Sequence, residues 1–185
     1  MKTLMSYSLI LSVLFLSCVQ KESSNLQTNK TMNNEHQAIV DVVTSVFSET
    51  DANNWLGVQA AFAPSVHLDY TSLAGGEPAS LTPQQITESW SGILPGFDHT
   101  HHQVANFKVT INGDEATAFN YGTASHYLEN PSGQNLWTVV GTYDVHLIKT
   151  DGKWLIDSMT FNFKYMDGNS DLARLAQEKL QVAQD

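Results

Sequence analysis

The chain has 185 residues, 42% hydrophobic and 15% charged, which suits one compact domain with extensions. Acidic residues outnumber Lys and Arg 19 to 9, a formal net charge of −10, so phosphate backbones are repelled and no nucleic-acid partner is expected. Arg174 is the sole arginine, so the usual bidentate clamp for a carboxylate or phosphate is scarce.

The opening stretch MKTLMSYSLILSVLFLSC has Lys2, an apolar run from Leu9 to Leu16, and small Ser17 before Cys18. That order reads as a signal peptide over residues 1–17, with an apolar run too short for an ordinary membrane span. The tail LFLSC resembles a bacterial lipobox, in which Cys18 becomes the lipidated first residue of the mature protein. The alternative is a plain secreted protein with an incidental cysteine. Cys18 is the only cysteine, so no intramolecular disulfide can form. The expected location is the bacterial cell envelope, with the lipid anchor as the only membrane attachment, on the periplasmic or surface face. Residues 18–34 are polar and poor in large apolar side chains, so they read as a flexible tether.

The folded domain is expected over residues 35–168, followed by a C-terminal helix over 169–185. Ile39, Val42, Val43, Val46 and Phe47 recur at helical spacing in a first amphipathic helix. Asp51 could cap a second short helix carrying Trp55, Val58 and Phe62, ending before Pro64. SVHLDYTSL reads as a strand, and Thr82 with Pro83 opens a third helix that ends near Pro95 and Gly96. Long strands follow. HHQVANFKVTI and EATAFNYGTASHYL flank a turn at 112–114; NLWTVVGTYDVHLIKT and KWLIDSMTFNFKY flank Asp151–Gly152. Helices first and antiparallel strands after imply an α+β domain, a curved sheet wrapped on N-terminal helices around a pocket.

The stretch TDANNWLGVQAAFAPSVHLDYTSL resembles the N-terminal part of scytalone dehydratase. It carries an Asp, a Trp four residues on, an Ala-Pro, and a strand with Asp-Tyr-x-Ser. Thr100-His101-His102 lines up with that family's T-x-H, His126 in TASHYLEN with its second histidine, and KTDGKWLI with its K-x-D-G-x-W hairpin. The resemblance spans about residues 40–160 and extends to the SnoaL-like branch of the nuclear transport factor 2 fold, a cone of helices and curved sheet. It implies Asp51, Tyr70, His102 and His126 as the pocket set. Three family positions differ: Thr50 stands for a second tyrosine, and Gly141 and Tyr143 stand for a serine and an asparagine. The naphthol substrate of the family is therefore not expected.

That set suits loss of water from a β-hydroxy carbonyl. A base must take the acidic C–H proton, and an acid must assist the departing hydroxide; histidine does both near neutral pH. His102 is the expected base and His126 the acid, though the two could exchange. Asp51 orients or charges a histidine, and Tyr70 polarises the carbonyl. Each residue also has a plainer reading: a helix cap for Asp51, a core tyrosine for Tyr70, a strand histidine for His126. Asp69 should face away from Tyr70. His67 and His146 have no evident partner. The crowded His99, His101 and His102 suggest a metal, but no His-Glu-x-x-His helix or cysteine pair accompanies them, so neither metal nor cofactor is expected.

The leading expectation is a cofactor-independent dehydratase acting on a small hydroxylated, cyclic carbonyl or sugar- or uronate-derived substrate, with no partner beyond that substrate and a homo-oligomer left open. The alternatives are a ketosteroid-type isomerase using Asp51 and Tyr70, and a non-catalytic lipid-anchored protein binding a small ligand.

Overall fold

A computed structural model describes residues 30–182. The expected signal peptide, Cys18 and the expected tether as far as residue 29 lie outside the described residues. The described residues divide into two units between Gln37 and Ala38. In the first, residues 30–37 are helical. Among the described residues, no helix is long and apolar enough to cross a membrane.

The second unit opens with helix α1 over residues 38–51. Ile39, Val43, Val46 and Phe47 fall on one face of it and are buried. Helix α2 (Trp55–Ala60), strand β1 (Phe62–Asp69), the short helix α3 (Thr71–Ala74), strand β2 (Ala79–Leu81) and helix α4 (Pro83–Ser91) follow. A 3-10 turn over Leu94–Gly96 leads into four long strands: β3 (His99–Asn112), β4 (Glu115–Tyr127), β5 (Leu136–Thr150) and β6 (Lys153–Gly168). Helix α5 (Leu172–Val182) ends the described chain.

The architecture is α+β, with N-terminal helices on a curved, unclosed sheet of order β2-β1-β6-β5-β4-β3. All neighbouring pairs are antiparallel except β1 with β6, which run parallel. The hairpins close as their turn residues require. Thr150 pairs with Lys153 across Asp151 and Gly152, which take φ 51° and 76°. Thr82 caps α4 in a reciprocal capping box with Gln85, and Pro83 occupies the first turn.

Two local expectations are corrected. Asn54, not Asp51, caps α2, its side chain accepting from the Gly57 N–H at 3.3 Å. Phe62 lies in β1 rather than in α2, because the strand begins before Pro64. The register of β1 on β6 shifts between Phe62 and His67, and a bulge is where a strand can carry a proline. His99 is the first residue of β3.

Side chains of α1, α2 and α4 meet the inner face of the sheet in the main core, with Leu147, Ile156 and Met159 fully buried. A smaller cluster joins α5 to the 3-10 turn through Phe97, Leu128, Leu172 and Ala176.

Candidate active site

Asp51 sits at the C-terminal end of α1. The helix is ended by Asn53 at φ 54°, and the Asn54 N–H donates to the Glu49 carbonyl at 2.8 Å. A carboxylate at this end meets the unfavourable pole of the helix dipole, a cost of about 0.3–1 kcal/mol. His102 offsets it. Asp51 Oδ1 lies 2.6 Å from His102 Nδ1, and Oδ2 accepts from the His102 backbone N–H at 2.7 Å. Burial raises the Asp51 carboxyl, but the His102 ring and backbone bonds outweigh it, and its pKa ends below the ordinary value. Both side chains keep limited access, 12% for His102 and 20% for Asp51.

His102 belongs to the inward set of β3. Thr100, His102 and Val104 are partly buried, while His99, His101 and Gln103 are exposed. The crowded histidines therefore divide between two faces of one strand. Thr100 pairs with His126 of β4, and His102 with Ala124, so the two histidines stand diagonally on the inner face. Their ring centroids are 5.6 Å apart, edge to face.

His126 is 5% exposed and lies between Phe97 at 4.8 Å and Trp137 at 4.7 Å, centroid to centroid. Burial, then the nearby His102, push its pKa down to about 4. The ring is neutral at pH 7. Its Nδ1 and the Trp137 Nε1 are buried without a hydrogen-bond partner. A buried polar atom left this way costs about 1–3 kcal/mol.

Tyr70 immediately precedes α3. Its hydroxyl donates to the Met159 Sδ at 3.7 Å. Burial pushes its pKa up to about 12, with the Tyr143 hydroxyl pulling the other way. Asp69 points elsewhere, accepting from the Thr71 N–H and hydroxyl at 2.9 and 2.7 Å.

His102, His126 and Tyr70 all line one cavity of about 160 Å³. Asp51 stands behind His102, and its neighbour Thr50 lines the cavity. The remaining lining is largely aromatic: Phe47, Trp90, Phe97, Trp137, Tyr143 and Phe161. Trp137 and Phe97 were not singled out in the sequence. The inward parity of β5 marks Trp137, but nothing local marks Phe97.

His146 does have a partner. Its Nδ1 lies 2.6 Å from Asp157 Oδ1, on the sheet face away from the cavity. Among the described residues, no three histidine, cysteine or acidic side chains converge to hold a metal ion.

No curated protein matches the chain. Solved structures with the same fold include the Kfla4162 protein from Kribbella flavida, with TM-score 0.73 and 23% identity, covering 77% of this chain and 99% of that one. A candidate scytalone dehydratase from Novosphingobium aromaticivorans has TM-score 0.66 and 20% identity, covering 76% and 91%. Hexachlorocyclohexane dehydrochlorinase LinA-type3 from Novosphingobium barchaimii has TM-score 0.63 and 11% identity, covering 75% and 92%. Residues 33–160 match the SnoaL-like domain, and the chain belongs to that family.

Proposed function

We propose that the protein is a cofactor-independent lyase that removes water from a small cyclic β-hydroxy carbonyl compound. The observation that carries this reading is the Asp51–His102 pair at 2.6 Å with His126 beside it on one cavity. Asp51 fixes the Nδ1–H tautomer of His102, which leaves Nε2 to take a proton from the carbon next to the carbonyl. The imidazolium that forms is stabilised by Asp51. The C–H electrons become the new double bond as the C–O bond breaks. His102 then returns its proton to the departing hydroxyl oxygen, and water leaves. Tyr70 donates a hydrogen bond to the carbonyl oxygen as charge develops on it.

The part given to His126 changes from the sequence-based expectation. A neutral imidazole cannot give up its remaining proton under mild conditions, so His126 hydrogen-bonds the leaving hydroxyl instead of delivering a proton. The aromatic lining favours a ring with one carbonyl and one hydroxyl over a fully hydroxylated sugar or uronate. The likeness in fold to a dehydrochlorinase acting on a cyclohexane ring agrees with elimination from a ring.

Isomerase chemistry with Asp51 as base is disfavoured, because both of its carboxylate oxygens are engaged by His102. A purely ligand-binding role would not require two imidazoles brought together on the cavity. Elimination kinetics on a panel of cyclic β-hydroxy ketones provide the test. Full activity in both His102→Ala and His126→Ala would sink the assignment. The envelope location through a lipid on Cys18 is proposed on the sequence alone.

A further inference from the structure

Gly122 and Gly141 are register partners on β4 and β5. A Cβ on Gly122 would stand 2.4 Å from the Tyr143 ring, and one on Gly141 would stand 2.4 Å from the Phe161 ring. Close-packed interiors do not allow such approaches, so the two glycines are what let these rings lie against the sheet. Tyr143 is held on several sides. Its ring centroid is 4.9 Å from those of Phe47 and Phe161 and 6.3 Å from that of Tyr70, and it is 6% exposed. It is a fixed wall of the cavity.

The space that remains, about 160 Å³, is small. An engineered apolar cavity of about 150 Å³ accommodates one benzene molecule. Tyr143 bounds this space, and its packing against Phe47 and Phe161 opposes any movement that would enlarge it for a second fused ring. The Tyr70 O–H meets the Met159 sulfur, a weak acceptor that a ligand oxygen can displace.

We infer that Tyr143, seated by Gly122, sets the ring size this site accepts and favours a substrate of one six-membered ring. The inference rests on reading this cavity as the substrate site. Isothermal titration of the full chain with phenol and with 2-naphthol tests it without any turnover. The wild type should bind phenol about tenfold or more tightly than 2-naphthol. Tyr143→Ala, or Tyr143→Leu if the alanine variant does not fold, should admit 2-naphthol and reverse that preference. Tyr143→Phe should keep the size preference, because the ring that bounds the cavity is retained. Gly122→Ala should weaken phenol binding as the displaced ring takes up the space.

Equal affinity of the wild type for the two probes, no binding of either, or an unchanged preference in the Tyr143 variants overturns the size limit. Elimination assays on the His102 variants judge the reaction, so the two readings fail independently.

Discussion

Asp51 holds His102 twice, by the ring Nδ1 at 2.6 Å and by the backbone N–H at 2.7 Å. The two bonds lock both the rotamer and the tautomer of the ring to the end of α1. Asp51→Asn keeps the shape but removes the charge and can present the wrong group to Nδ1. The expected outcome is a fall in kcat of about 10³-fold or more with KM little changed, read by steady-state elimination kinetics.

The depressed His126 pKa has a consequence for stability. In the unfolded chain this histidine titrates at its ordinary value near 6.5, and in the folded protein at about 4. Between those values the unfolded state binds more protons, so folded stability falls as pH drops through that window. The loss attributable to this residue is about 2 kcal/mol between about pH 7 and about pH 5. Urea unfolding at the two pH values measures it. His126→Phe, which keeps an aromatic ring between Phe97 and Trp137, should remove that part of the pH dependence.

Gly96 touches the backbone of α5. A Cβ there would come within 2.1 Å of the Ala176 carbonyl oxygen, and backbone cannot yield as a side-chain tip can. Gly96→Ala should cost about 1–3 kcal/mol, seen as a lower Tm in thermal unfolding. Lys179→Ala should do far less. Its ammonium pairs with Asp98 at 2.6 Å on the surface, where such pairs contribute about 0–1 kcal/mol.

The second His–Asp pair supplies a control. His146 and Asp157 repeat the 2.6 Å geometry of the first pair but face away from the cavity. His146→Ala should leave kcat and KM for elimination unchanged. A drop comparable to that of His102→Ala would show that the wrong pair has been assigned.

The Cys18 proposal has its own measurement. Wild-type protein should partition into the detergent phase of a membrane extract and Cys18→Ala into the aqueous phase. Equal partitioning of the two would remove the anchor.

Much of the fold is written in local signals. The helical spacing of Ile39, Val43 and Val46, the Thr82 cap and the Asp151–Gly152 turn each act over a few residues, so they can be read without knowing the whole. The parallel contact between β1 and β6 is not local, and the short β2 carries too few residues to show a period. The inward faces of Met159 and Phe161 were hidden for a different reason. The register of β5 on β6 shifts between His146 and Leu147, where Asp157 is the extra residue. Strict alternation from Trp154 would turn Met159 and Phe161 outward; the bulge turns them in and leaves Asp157 and Ser158 together on the other face. At the cavity, the motif spacing marked Asp51, Tyr70, His102 and His126. The place of Tyr143 depended on the absence of a Cβ across the sheet, which no pattern along a single strand reveals.

Both histidines belong to one hairpin, β3 with β4, closed by the two-residue turn at Gly113 and Asp114. Hairpins form in microseconds from contacts close in the chain, whereas docking a distant helix waits on the rest of the sheet. During folding the two imidazoles meet early, and Asp51 joins them only when α1 settles. Refolding followed by returning activity should therefore lag behind refolding followed by strand formation, with the interval reporting the arrival of a single carboxylate.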